Sequence, residues 1–385
     1  MTDSWNKIKK TVKRLQGLGL IGSANLIGLI TTAFFWLYLA PILGTENYGQ
    51  VGYFISLASI VGIFCMFSAG KTLMVYRAKE IPIQATVFFI AIILSLASAI
   101  ILFVFLGSIG TSAFVIGYVI FGIAIAELLG TKLYKKYFNY FITQKIALLP
   151  LAIGLYYVIG IEGVILGYAL SYIHLIIIVT QGFMKSSIKL SLVREKIGFI
   201  SHNYLADIAV SFSSNIDRVI LAPLYGFALL GNYQLSIQIL AVLSMLPSVV
   251  FQYLLPREAS GTPSRRLRRL TIITAVGLAI VTSALGPFIL PIFFAEFNEA
   301  VLLTQVVSFV LIPRTITLMY ISKFLSKENS KVVLISAGLF LAALVSLIYL
   351  LEGDLGIFGA AIALLVASCI QAGYLFAVNQ KNPNN

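Results

Sequence analysis

From residue 18 onward the chain alternates between long apolar runs and short polar gaps. A helical run of about 20 apolar residues crosses the hydrocarbon core of a bilayer. Twelve such spans are predicted: 18–41, 48–70, 83–107, 111–130, 143–160, 161–184, 198–222, 228–255, 271–294, 298–321, 331–351 and 356–378. The expected fold is therefore all-α, a polytopic membrane protein with twelve transmembrane helices. The first run is about 24 residues long, longer than the core of a secretion signal, and is read as span 1.

Composition agrees, with 59% hydrophobic and 11% charged residues, where a soluble domain has about a quarter charged. The net charge of +13 is explained by where the charges stand. Lys and Arg fall in or beside every second gap: Lys7 to Arg14 before span 1; Lys71, Arg77 and Lys79; Lys132, Lys135, Lys136 and Lys145; Lys185, Lys189, Arg194 and Lys196; Arg257 and Arg265 to Arg269; Lys323, Lys327 and Lys331; and Lys381. The alternate gaps carry Glu46, Glu162, Glu296, Glu299, Glu352 and Asp354 instead. The positive-inside rule then places both termini in the cytoplasm of a multi-pass protein of the cell membrane. This distribution argues for topology and against a nucleic-acid partner. Residues 4–16 have apolar positions at helical spacing and fit either a helix lying on the anionic inner leaflet or the plain basic flank of span 1.

An internal repeat divides the chain. Ala40-Pro41-x-x-Gly44-x4-Gly49 recurs as Ala222-Pro223-x-x-Gly226-x4-Gly231, and Gly160-x-x-Gly163 is echoed by Gly353-x-x-Gly356. Spans 1–6 and 7–12 thus form two six-helix lobes. Because six is even, they are parallel repeats. The expected domains are a basic N-terminal segment 1–17, an N-lobe 18–185, a linker 186–197 and a C-lobe 198–380.

Only Arg218 and Arg314 among the cations lie well inside spans, where ionisable groups are costly and turned toward a cavity or a partner. At about 100° per residue, Asn203, Asp207, Ser211, Ser214 and Arg218 form one stripe on span 7. One repeat earlier, Asn25, Thr32 and Trp36 occupy the places of Asp207, Ser214 and Arg218. Two such helices fit two walls of a hydrated cavity, or polar glue between helices. Asp217 points away from Arg218 and is expected to contact another helix rather than pair with its neighbour. Arg314, behind Pro313, fits an anion-binding role and a snorkelling role equally. Gln234 and Gln238 share a face of span 8 and suit sugar hydroxyls or helix packing. Asp207, His174 and Glu127 are candidates for ion coupling, and His174 and Glu127 equally fit satisfied interhelical hydrogen bonds, the reading His174 favours. His174 and His202 are the only histidines, and Cys65 and Cys369 lie in apolar runs. No catalytic motif, metal spacing or disulfide framework is present, so neither an enzyme nor a cofactor is expected.

"APILGTENYGQVGY" (Ala40–Tyr53) resembles the LG-x-E-x-YG hallmark of polysaccharide flippases, in the multidrug/oligosaccharidyl-lipid/polysaccharide exporter superfamily. "FSAGKTLMVYRAKE" after span 2 is similar to that family's turn. "NIDRVILAPLYGFALLGNY" resembles its seventh helix and following turn, and "LLPREAS" the end of its eighth. The resemblance implies a flippase that moves a polyprenyl-(pyro)phosphate-linked oligosaccharide outward by alternating access. Arg218, Arg314 and the polar stripe would meet phosphate and sugar. Membrane lipids and glycosyltransferases of the same pathway would be its partners. A multidrug or organic-cation antiporter of the same superfamily is the rival reading, since Asp207, Asp217 and Glu127 are available to cations.

Overall fold

The computed structural model describes the backbone of residues 2–259, 264–327 and 329–381, and their side chains except those of 2–16, 18, 256, 257, 259 and 352. The amphipathic face expected over 4–16 therefore lies outside the described residues. Among them the chain is all helical, with no strand. The helices are α1 (Thr2–Met66), α2 (Ala69–Ala78), α3 (Gln84–Leu106), α4 (Ile109–Gly130), α5 (Tyr134–Ile159), α6 (Ile161–Leu170), α7 (Ile176–Met184), α8 (Leu190–Glu195), α9 (Ile197–Leu243), α10 (Met245–Ala259), α11 (Arg265–Phe293), α12 (Asn298–Ser326) and α13 (Ser330–Lys381).

The long helices hide spans. α1 has 65 residues, and a straight helix of that length would run about 98 Å, far beyond a core of about 30 Å. Its helical geometry fails at Gly44 (φ 71°, ψ 177°). α9 fails at Gly226 (φ 77°, ψ 171°) and α13 at Gly356 (φ 54°, ψ −141°). Positive φ at these joints is readily open only to glycine. Ten described helices are long and apolar enough to cross a membrane, and two of them, Gly19–Met66 and Ile197–Leu243, contain the Gly44 and Gly226 elbows. Counting each as two gives the twelve spans. Two spans are less regular than their sequence: span 8 breaks at Ser244, between α9 and α10, and span 6 passes through a 3-10 turn at Ile173–Leu175.

The second glycine echo is corrected. Gly160 (φ 66°, ψ −142°) shares its conformation with Gly356, not with Gly353. A Cβ added to Gly163 would stand 2.1 Å from the Leu155 carbonyl oxygen, and one on Gly359 2.8 Å from that of Leu351. The matching motif is thus Gly356-x-x-Gly359, three residues later than the pattern alone indicated.

The chain divides into two compact units, Met1–Phe35 with Leu57–Ile208, and Trp36–Ser56 with Ala209–Asn385. In the first, an aromatic core joins α4 to α6 and to the turn that follows it: Phe114 meets Tyr168 at 5.1 Å and Phe121 meets Tyr172 at 5.0 Å between ring centroids. α2 is tied to α4 by Arg77 Nε, which lies 3.0 Å from both carboxylate oxygens of buried Glu127. In the second unit, Leu221, Leu230, Tyr233, Val307, Leu344 and Ala361 anchor a continuous core. The Glu258 carboxylate accepts from Arg268 and Ser322, both at 2.8 Å, linking α10, α11 and α12.

Candidate functional site

A cavity of about 400 Å³ lies within the second unit. Its wall is built from both segments of α9, from α12 and from both segments of α13. Most of the lining is apolar, as expected in an apolar chain. The polar members are Ser213, Ser214, Asp217 and Arg218 on α9, Gln238 beyond the Gly226 elbow, Arg314 and Thr317 on α12, and Ser368 and Gln371 on α13. Arg314 and Thr317 are one helical turn apart, as are Ser368 and Gln371, so each pair shares a face.

The two arginines differ in state. Arg218 is buried and engaged: Nε donates to the Gln234 side-chain oxygen, and Nη1 donates to the Ser214 carbonyl at 2.7 Å. Asp217 accepts the Arg218 backbone N–H at 2.9 Å with Oδ1 and the Tyr233 hydroxyl at 2.9 Å with Oδ2. Asp217 therefore does contact another span, as expected. The expectation that it leaves Arg218 alone is corrected, because Nη1 and Oδ1 stand 3.9 Å apart, close enough for partial charge compensation. Arg314, by contrast, is accessible in the cavity wall and makes no hydrogen bond or ion pair among the described residues. Gln238 has no such partner either, and the buried Thr317 hydroxyl has no hydrogen-bond acceptor or donor. Two guanidinium groups face one carboxylate, so the wall carries a surplus positive charge beside open amide and hydroxyl groups.

Of the residues singled out from sequence, Arg218, Ser214, Gln238 and Arg314 are brought to this cavity, and Gln234 supports it from behind through Arg218. The others go elsewhere. Asp207 belongs to the first unit, where it pairs with Lys71 Nζ at 2.7 Å and accepts from Ser68 at 3.1 Å. Asn203 donates to the Phe199 carbonyl of its own helix. Ser211 is buried, and its carbonyl accepts from Asn215. Asn25 accepts from the Tyr137 hydroxyl at 2.9 Å. His174 Nε2 lies 2.9 Å from the Tyr140 carbonyl and must donate to it, with the two rings stacked at 5.7 Å. Glu127 is held by Arg77. Asp217, Ser213, Thr317, Ser368 and Gln371 were missed as cavity residues. Their signal was available, since polar residues at i, i+3 and i+4 inside apolar runs are the same kind of stripe that marked span 7. No group of three or more His, Cys, Asp or Glu side chains that could hold a metal occurs among the described residues.

The Lys71–Asp207 pair allows a direct check. With the Lys71 side chain 46% exposed, such a pair contributes about 0–1 kcal/mol. Asp207→Asn is expected to shift the melting temperature in detergent by no more than a few degrees. Loss of the folded protein instead would show that Asp207 anchors the fold.

The fold is all-helical, that of a multi-pass membrane protein. No family model matches the chain, and no curated protein matches it in sequence. Solved structures do. The chain superposes on the lipid II flippase MurJ in an inward closed conformation with a TM-score of 0.73 at 16% identity, covering 93% of this chain and 87% of that one. It is similar to an inward-facing multidrug resistance MATE family transporter of the MOP superfamily (TM-score 0.66, 14% identity, 93% and 94% covered). A third likeness is to a MOP superfamily transporter from Pyrococcus furiosus described as having a binding pocket of reverse polarity (TM-score 0.60, 13% identity, 95% of each). At these identities the likeness shows the fold alone, an all-helical one that the chain shares with these three structures.

Proposed function

We propose that the chain is a flippase for a polyprenyl-phosphate- or pyrophosphate-linked oligosaccharide, carried from the cytoplasmic to the outer leaflet of the cell membrane by alternating access. The observation that carries this reading is the charge of the second-unit cavity, Arg218 and Arg314 against Asp217. A cation surplus in a low-dielectric wall attracts phosphate and repels cationic drugs. Guanidinium suits phosphate by its fork of donors. Gln238, Gln371, Ser213, Ser214, Thr317 and Ser368 supply neutral hydrogen-bonding groups of the kind a sugar requires. Supporting likeness comes from the MurJ structure, a lipid II flippase. The two repeats, 18–185 and 198–380 about the linker 186–197, are the moving bodies of the cycle. With both termini cytoplasmic, the anion gains about 2.3 kcal/mol per charge per 100 mV on moving outward, so the membrane potential can drive transport.

The rival is a cation antiporter, favoured by Asp217 in the same wall and by the MATE likeness. Reconstitution separates the two. Proteoliposomes holding the full chain are given a fluorescent short-chain prenyl diphosphate disaccharide or a cationic dye. Accelerated loss of the lipid-linked sugar from the inner leaflet, without dye transport, is the expected result. Dye transport with no sugar movement would overturn the flippase reading.

A further inference from the structure

Lys145 belongs to the basic flank of span 5 when read from the sequence, but the structure moves it inward. α1 and α5 run side by side in the first unit. Cβ atoms added to Gly17 and Gly28 would each stand 2.5 Å from a ring carbon, of Tyr134 and Phe141 respectively. Between and beyond them, Tyr137 meets Asn25 and Lys145 meets Thr32. Thr32 is fifteen residues past Gly17 and twelve before the Gly44 elbow, about 22 Å from one and 18 Å from the other along a helix. In a core of about 30 Å the hydroxyl that holds the Lys145 ammonium is near mid-membrane. Snorkelling carries an ammonium toward an interface, whereas this one is held away from both.

Its surroundings leave the charge uncompensated. Nζ donates to Thr32 Oγ1 at 3.0 Å and lies 5.5 Å from the centroid of the Phe141 ring. The span-embedded carboxylates of this unit, by contrast, each have a cation, Glu127 from Arg77 at 3.0 Å and Asp207 from Lys71 at 2.7 Å. No carboxylate pairs with Lys145 among the described residues. A cation at the centre of a membrane helix costs about 2.5–3.5 kcal/mol, and one hydroxyl with one ring face uses only part of an ammonium that has three donors. A methionine would fill the same space without that cost.

We propose that Lys145 is an anion-binding group of the first unit, and that its ligand is a phosphate or diphosphate ester. This rests on the flippase reading and adds to it a second phosphate station, separate from the Arg218–Arg314 cavity. The full chain in phosphatidylcholine nanodiscs is titrated with farnesyl diphosphate, with inorganic diphosphate and with farnesol, and binding is read by tryptophan fluorescence and by ligand-induced melting shifts. Lys145→Gln and Lys145→Met are expected to weaken farnesyl diphosphate binding about tenfold, the loss of one charge-assisted hydrogen bond. Lys145→Arg should stay within about threefold, and farnesol should be indifferent to all three. Thr32→Asp neutralises Lys145 without removing it. It should abolish the same increment, and it decides the matter if the charge-free variants do not fold. Weakening of inorganic diphosphate by the same factor supports the site, and the wild-type preference for farnesyl diphosphate over inorganic diphosphate, or its absence, assigns it to a lipid headgroup or to free phosphate. If Arg314→Gln weakens binding while the Lys145 and Thr32 variants do not, the Lys145 site is overturned and the flippase reading stands. If no variant alters binding, or the wild type binds neither diphosphate, both fail. Lower melting temperatures with unchanged affinity assign Lys145 to folding and overturn the proposal.

Discussion

Gly231→Ala is expected to remove most of the folded protein. The two elbows of the repeat meet within the second unit, and their second glycines are the point of contact. A Cβ on Gly231 would stand 1.9 Å from the Thr45 carbonyl oxygen, and one on Gly49 1.9 Å from that of Phe227. Both obstacles are backbone, so neither can rotate aside. Forcing an extra methylene into a packed interior costs about 1–3 kcal/mol where side chains can yield, and here two helices must part, so about 3 kcal/mol or more is expected. The double variant Gly49→Ala, Gly231→Ala should cost less than the two singles together, since one separation accommodates both methyl groups. Gly277→Ala is the control. It sits in the interior of α11 with nothing within 4 Å of its added Cβ, and replacing glycine there should gain up to about 1 kcal/mol of helix propensity. Size-exclusion yield and melting temperature in detergent measure all four. Normal recovery of Gly231→Ala would show that the elbow contact is not a close one.

That contact also shows how far sequence carries. The Ala-Pro-x-x-Gly-x4-Gly repeat was visible as a pattern, and charge alternation fixed the number of spans, because each follows from a constraint on every crossing: apolar length and cationic gaps. Why the second glycine recurs was not visible, since the reason is another backbone far away in sequence. The echo at Gly356 was misplaced by three residues because Gly353, Gly356 and Gly359 offer two equal spacings, and only the positive φ at Gly356 chooses between them. The break in span 6 at Ile173–Leu175 carries no proline or glycine. It occurs where His174 bonds the Tyr140 carbonyl and Tyr172 meets Phe121, both tertiary causes.

The site divides in the same way. Helical spacing identified the face of span 7, but a face does not name its partners. Its N-terminal end is consumed in the first unit by Lys71 and Ser68 around Asp207, and its C-terminal end, Ser214 with Arg218, lines the cavity. Asn25 and Thr32, the corresponding positions of span 1, meet Tyr137 and Lys145 of α5. Lys145 escaped notice because a lysine eleven residues after the start of a helix looks, in one dimension, like the end of a basic gap.

Arg314→Gln should cut transport of a lipid-linked sugar about thirtyfold or more while leaving the protein as stable as the wild type, or more so. Removing a charged group from a desolvated ligand contact costs about 2–5 kcal/mol. The free protein, however, holds no ion pair to Arg314 among the described residues, and Arg314 shares the wall with the like charge of Arg218, so little stability depends on it. Activity and stability should therefore move in opposite directions, which a residue retained for packing would not do. Arg314→Lys keeps the charge but not the planar fork and should fall between. Asp217→Asn supplies the opposite test. It removes the one negative charge in the wall, and an Asn oxygen can still accept from Tyr233, so anionic cargo should bind as well or better. If the cavity instead served cations, Asp217→Asn would abolish transport and Arg314→Gln would be harmless or beneficial. Initial rates in proteoliposomes at fixed protein density, set beside melting temperatures of the same preparations, distinguish the two patterns, because each fixes the sign of both substitutions.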